Sequence, residues 1–197
     1  MIVPMFPLPA VRLFPGQVMP LHIFEPRYRA MVEDLLDNAG LLVMATVAPE
    51  HRGDLQGAPP IDPVAGLGEI VQHERFPDGR FLIVLLGKSR TRITEVASPH
   101  PYRLVDVRPF DEVLPQGEAA KCLESEIRAA LSSFGKDTAE IPAAAPLSHL
   151  IDVLLLKSRP GEKDQSDAFA EPDLARRGAL ALAAHRRGGQ SSGNDER

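Results

Sequence analysis

Two hydrophobic periods divide this chain, and the change between them falls near residue 112. Residues 5–13, MFPLPAVRL, alternate around prolines, which suits an edge strand whose missing donors face solvent. Pro15-Gly16 is a turn signal. Residues 18–24 alternate again: Met19, Leu21 and Ile23 share a uniformly apolar face that belongs in a core. Val18, Pro20, His22 and Phe24 share the other face, where a polar His22 among apolar neighbours points to partial exposure. Cover of this row by other elements is the alternative. Pro26 occupies the favoured first position of a helix, and Tyr28, Met31, Val32, Leu35 and Leu36 follow at helical spacing. Gly40 is placed to cap that helix. Residues 40–47, GLLVMATV, predict a strand buried on both faces. Residues 48–66 are rich in Pro and Gly, have no period, and are long enough to mark a mobile or functional loop. Residues 68–76 and 80–96 form a hairpin through Pro77-Asp78-Gly79, and residues 102–110 form a further strand.

Beyond this point the period becomes helical. Leu123, Ile127, Leu131 and Phe134 mark one helix closed by Gly135; Leu147, Leu150, Ile151, Leu154 and Leu155 mark a second. Residues 158–165 read as a polar connection, and Pro172 opens a third helix with Leu174, Ala181 and Leu182 inward. The pattern predicts an α+β protein: a β-rich part over residues 1–112, a helical part over 113–187, and a disordered tail over 188–197.

Composition narrows the chemistry. Proline, at 19 of 197 residues, is about twice its usual share, in keeping with many strand ends and turns. The net charge of −5 disfavours phosphate backbones as partners. The longest uninterrupted aliphatic strip, FLIVLL, is far too short to span a membrane, and the opening MIVPMFPLP lacks the basic region of a signal peptide, so a cytoplasmic protein is expected. Gly87-Lys88-Ser89 mimics the end of a phosphate-binding loop, but Leu82 stands where that loop needs its first glycine; a strand bulge at Gly87 is the expectation. His22 with Glu25 and His73 beside Glu74 are the nearest approach to a metal pair and lack a third ligand, so no metal or cofactor is expected. The one cysteine, Cys122, is expected to pack as a small hydrophobe. Glu25, before Pro26, is expected to anchor the helix start with its carboxylate, and Arg29 to pair with Glu33. No catalytic constellation emerges.

Residues 6–36, FPLPAVRLFPGQVMPLHIFEPRYRAMVEDLL, resemble the opening of the Lon protease N-terminal, or substrate-binding, domain family. The hallmark is PLHIFEPRYR, Pro20 to Arg29, with Glu25, Pro26, Arg27 and Tyr28 at its end and Pro15-Gly16 ahead of it. Residues 66–93 resemble the family's central hairpin, with Gly87, Arg90 and Arg92 in a Gly-x-x-Arg-x-Arg-like segment. Lys163, Gln165, Asp173 and Arg177 are similar to its closing helices. The resemblance implies a PUA-like pseudo-barrel followed by a small helical bundle. It also implies a role: in full-length Lon proteases such a domain helps recognise unfolded protein substrates and supports oligomer assembly, so unfolded or partly folded polypeptide is the expected partner here, with a protease or chaperone as a further partner and an oligomer as an open possibility. The 197 residues hold no Walker motif and no Ser-Lys peptidase region, so a standalone, non-catalytic member is expected. Pro20, His22 and Phe24 are the candidate polypeptide-binding residues. RNA binding is the alternative, because PUA-like folds include RNA-binding modules, and it would require a local patch of Lys88, Arg90, Arg92, Arg103 and Arg108.

Overall fold

The computed structural model describes residues 1–48, 51, 57–138 and 141–191. The chain divides into two compact units between Phe110 and Asp111. The first contains strands β1 (Ile2–Pro9), β2 (Val18–Ile23), β3 (Leu41–Val47), β4 (Val64–Arg75), β5 (Phe81–Val96) and β6 (Arg103–Pro109), with helix α1 (Pro26–Leu36) between β2 and β3. The sheet order is β2-β5-β4-β3-β1-β6, and β5 also pairs with β6. Strands β1, β3, β4, β5 and β6 therefore close into a barrel, and β2 hangs on β5 as the strand with a free edge.

One strand serves both the barrel and this wing. Residues 81–86 of β5 pair with β2, whereas residues 91–96 pair with β6. The change of partner coincides with a bulge: Gly68 lies opposite Gly87 and Leu67 opposite Ser89, which leaves Lys88 as the extra residue. Bulges bend a strand and increase its twist, which is what sharing β5 between two neighbours requires.

Alternation along β3 divides the interior. Leu42 and Met44 join Tyr28, Met31, Val32 and Leu35 of α1 in one cluster, together with Ile23, Phe81, Ile83 and Leu85. Val43 and Ala45 point the other way and pack with Val3, Met5, Ala65 and Val105. Side chains of this size each contribute about 1.5–3 kcal/mol when fully buried, so both faces of β3 are anchored.

Several boundaries differ from expectation. β1 begins and ends earlier than residues 5–13, because the chain turns at Ala10, where φ is 56°. Leu13 and Phe14 then enter the core from the connection rather than from a strand. Helix α1 ends at Leu36 with Asp37 as its cap residue; Gly40, at φ 67°, serves the turn into β3 and not the helix cap. The 48–66 loop is shorter than expected, since β4 starts at Val64 and Ile61 bridges back to Val47. Residues 49–50 and 52–56 of it lie outside the described residues, and with them part of the expected functional segment.

The second unit contains α2 (Gly117–Ser132), a 3-10 turn (Gly135–Thr138), α3 (Leu147–Ser158), α4 (Glu162–Ala170) and α5 (Leu174–Ser191). Ile127, Leu131, Leu150, Ile151, Leu154, Leu155 and Phe169 are among its buried side chains. Helix α4 occupies much of the expected polar connection. Helix α5 runs to Ser191, past the expected start of the tail, and residues 192–197 lie outside the described residues. Asp173 rather than Pro172 sets the start of α5: its Oδ1 accepts from the backbone amides of Ala175 at 2.8 Å and Arg176 at 3.2 Å.

Candidate polypeptide-binding surface

The wing has one buried and one open face. Along β5, Phe81, Ile83 and Leu85 point inward, and Leu82, Val84 and Leu86 point outward. Their partners on β2 are His22 opposite Leu82, Pro20 opposite Val84 and Val18 opposite Leu86. Cross-strand partners share a face, so these six residues form one outer surface, which Phe24 extends. Val18 is 59% exposed and Phe24 60%, and Pro20, His22 and Leu82 are also exposed. The His22 ring lies 6.1 Å from Phe24 and 6.1 Å edge-on from Phe76, which stands just beyond β4. Isolated exposed apolar residues are ordinary; a contiguous row with two aromatic rings around a histidine is a candidate recognition surface. Proline at the centre of β2 removes a donor from the free edge, which blunts accidental strand pairing.

The run after this row is a joint. Pro26 is the first helical residue, and the Glu25 carbonyl accepts from the amides of Tyr28 at 3.0 Å and Arg29 at 2.9 Å. The Glu25 side chain, however, makes no cap hydrogen bond. Its carboxylate is taken by Arg27, through Nε at 3.0 Å and Nη2 at 3.0 Å. The Arg27 guanidinium lies 4.5 Å from the centre of the Tyr28 ring, and Tyr28 meets Phe6 edge-on at 4.5 Å inside the core. The expected carboxylate anchor is thus replaced by a backbone cap and a Glu25–Arg27–Tyr28 stack. The expected Arg29–Glu33 pair does not form either; Glu33 meets Arg75 at 2.8 Å. Pro15-Gly16 makes its turn and joins the barrel: the Gly16 amide donates to the Gly87 carbonyl at 2.8 Å.

The residues of the RNA alternative are not presented as a basic patch. Lys88 pairs with Glu69 at 2.9 Å, Arg103 with Glu95 at 2.5 Å and Arg108 with Asp106 at 3.2 Å. Arg90 lies over Phe14 and Arg92 over Phe110. Cys122 is exposed rather than packed, because the buried stripe of α2 runs through Ile127 and Leu131. Among the described residues no group of three His, Cys, Asp or Glu is placed to hold a metal ion, and no helix is long and apolar enough to cross a membrane.

Sequence reasoning missed Tyr102. Its hydroxyl donates to Asp34 Oδ2 at 2.6 Å, and its ring stacks on His100 at 4.8 Å. Burial, and then the hydrogen bond to Asp34 with that group's charge, push its pKa up to about 12. Burial also raises Tyr28. An unfolded chain releases tyrosine protons near pH ~10, so the folded state should lose stability as pH rises from there toward about 12. The chain has only these two tyrosines, so near-ultraviolet phenolate absorbance reads them directly. Both should titrate later in the native protein than in denaturant; a normal native titration of both would contradict these environments.

The pseudo-barrel followed by helices has known counterparts. The family model described as the ATP-dependent protease La (LON) substrate-binding domain matches residues 2–185. A Lon protease of Flavobacterium johnsoniae is 27% identical over 144 residues, 73% of this chain and 17% of that protein. Lon protease 2 of Sorangium cellulosum is 26% identical over 194 residues, 92% of this chain and 24% of that protein. The chain therefore spans less than a quarter of the length of these curated relatives. Among solved structures, the N-terminal domain of Mycobacterium avium complex Lon protease superposes with a TM-score of 0.72 at 19% identity, covering 94% of this chain and 98% of that one. A Lon N-terminal domain protein from Xanthomonas campestris gives 0.57 at 19% identity, covering 93% and 98%.

Proposed function

We propose, from the premise that this chain belongs to the Lon substrate-binding domain family, that it is a non-catalytic module binding unfolded or partly folded polypeptide on the outer face of β2 and β5. The observation that carries this reading is the exposed row of Val18, Pro20, His22 and Phe24 beside Leu82 and Phe76. Non-native chains differ from native ones chiefly in exposed apolar side chains, and an apolar surface recognises that difference without reading sequence. Such a module would act in the cytoplasm in quality control or regulated proteolysis, passing bound chains to a protease or chaperone. The pairing of its basic residues and the net charge of −5 weigh against the RNA reading.

The test is Phe24→Ser and Pro20→Ser, checked for native circular dichroism and titrated with a reduced, alkylated model protein. Burying a phenylalanine contributes about 1.5–3 kcal/mol, so Phe24→Ser should weaken binding about tenfold or more. The binding should change little between low and high salt, unlike nucleic-acid binding. Undiminished binding by well-folded variants would remove this surface from the mechanism.

A further inference from the structure

The Arg29 guanidinium has no counter-ion among the described residues. Its Nε is buried and without a hydrogen-bond partner, whereas buried polar groups almost always find one. The acids within reach along α1 are already taken: Glu33, one turn on, by Arg75 at 2.8 Å, and Glu25, one turn back, by Arg27 at 3.0 Å. Asp78, in the turn between β4 and β5, is held by Arg80 on both oxygens, from the amide at 3.1 Å and from Nε at 2.7 Å. The Asp78 carboxyl is accordingly held below its ordinary value first by the Arg80 amide, then by the Arg80 side chain, and last by the charge of Arg29. Arg29 is near an acid with which it does not pair.

The turn fixes its position. The guanidinium lies against Gly79, which is buried; a β-carbon there would stand 2.0 Å from Nη2 and 2.9 Å from Cζ. A guanidinium held against backbone has already lost freedom that binding would otherwise cost it. Register places it at the end of the exposed row. Ile23 is the last paired residue of β2, opposite Phe81, so Phe24 stands level with the turn of residues 76–80. Phe76, at the base of that turn, faces His22. Exposed apolar side chains and an uncompensated guanidinium therefore meet at one end of the wing.

We infer that this end of the wing binds the free carboxyl terminus of a polypeptide whose last residues are apolar. The inference rests on the proposed role of the outer face and names the part of the chain that it takes. The terminal carboxylate would accept from the Nη groups of Arg29 in the charge-assisted geometry that guanidinium and carboxylate share, and the last apolar side chains would lie along Phe24 and His22. A carboxyl terminus fits better than an internal acidic residue, because the row ends at this turn and a terminal residue carries its carboxylate on the same carbon as its apolar side chain. Its single negative charge also suits a site with Asp78 alongside, which opposes a doubly charged phosphate.

The experiment is an anisotropy titration of the whole chain with three peptides carrying fluorescein at the amino end: Ser-Gly-Ser-Leu-Leu-Phe with a free carboxylate, the same peptide as its carboxamide, and that carboxamide with an aspartate inserted before the last residue. The free acid should bind about tenfold more tightly than the carboxamide. Arg29→Gln, which breaks no ion pair, should abolish the difference, and Arg29→Lys should keep part of it. Asp78→Asn keeps an acceptor for the Arg80 amide and removes the opposing charge, so it should widen the difference, and it tests the site with Arg29 intact if the glutamine variant folds poorly. No binding of either simple peptide, equal binding of acid and carboxamide, a difference that survives in a well-folded Arg29→Gln, or an internal aspartate as effective as the free carboxylate would overturn the inference. Equal binding that Phe24→Ser weakens would overturn it while leaving the apolar surface in place. An acid preference lost in Arg29→Gln but untouched by Phe24→Ser would support the carboxylate site and remove the apolar row.

Discussion

Gly87→Ala should destabilise the β-rich unit by about 3 kcal/mol, more than an ordinary core substitution. A β-carbon at residue 87 would stand 2.0 Å from the Phe14 carbonyl oxygen and 3.2 Å from the Leu13 side chain. The first obstacle is backbone and cannot rotate away. It is also tied down: the Gly87 amide donates to the Gln17 carbonyl at 2.8 Å, Gly16 donates to the Gly87 carbonyl at 2.8 Å, and Gln17 donates to the Phe14 carbonyl at 3.0 Å. Relieving the clash means pulling the 14–17 turn off the barrel, at about 0.5–1.5 kcal/mol for each hydrogen bond lost. The same displacement would disturb the bulge at Lys88, where β5 changes partner from β2 to β6. Gly188→Ala is the control. It lies within α5, where an added β-carbon meets only the Ser158 carbonyl at 3.6 Å, so alanine should be neutral or stabilising by about 0.5–1 kcal/mol. Denaturant unfolding of the two variants measures both. A Gly87→Ala cost below about 1 kcal/mol would mean that the turn is not packed against the strand as described.

What the sequence made legible follows from how local each signal is. The Pro77-Asp78-Gly79 hairpin, the helix opening at Pro26 and the two-faced burial of β3 are written in neighbouring residues and appear as expected. The alternation of β2 was readable, and His22 in its outer row hinted at exposure, but the sequence left open whether the helical part covers that row. Barrel closure was not, since the parallel β1–β3 pairing and the β5–β6 pairing join distant segments that leave no short-range mark. Helix α4 escaped notice because, of its nine residues, only Ala168 and Phe169 are buried, too few to show a period. The pocket beside Tyr102 was hidden for the same reason as the closure. Its lining comes from the first four residues, from 34–41 and from 100–104, and only folding brings Tyr102 against Asp34 across 68 positions. Glu25 shows the opposite hazard: its place before Pro26 suggested a side-chain cap, but Arg27, two residues on, competes for the carboxylate and wins it.

Arg177→Ala should cost the helical unit about 3–5 kcal/mol, the range for breaking a buried ion pair from one side. The residue aligned with the family's closing motif only loosely in sequence, yet its guanidinium is fully buried. Nη1 donates to Glu112 Oε1 at 2.6 Å, while Nε and Nη2 donate to the Glu171 carbonyl at 2.9 and 2.7 Å. Asp152, 1% exposed, stands 4.0 Å from Nη1. One side chain therefore joins α5 to α3, to the α4–α5 connection and to the segment ahead of α2. The neighbouring backbone repeats the closure, with Val113 donating to the Pro172 carbonyl at 2.9 Å and Leu174 to the Val113 carbonyl at 3.0 Å. Alanine removes the cation and leaves an acidic group in the interior without it, a larger penalty than the lost hydrogen bonds alone. Arg177→Lys keeps the charge but cannot donate in a planar fork to Glu112 and Glu171 together, so it should recover only part of the loss. Far-ultraviolet circular dichroism in denaturant, dominated by the helices, gives the two values. The order wild type, lysine, alanine is the expected result; a lysine variant as unstable as alanine would show that fork geometry rather than charge holds the bundle together, and an alanine variant within about 1 kcal/mol of wild type would show that neither does.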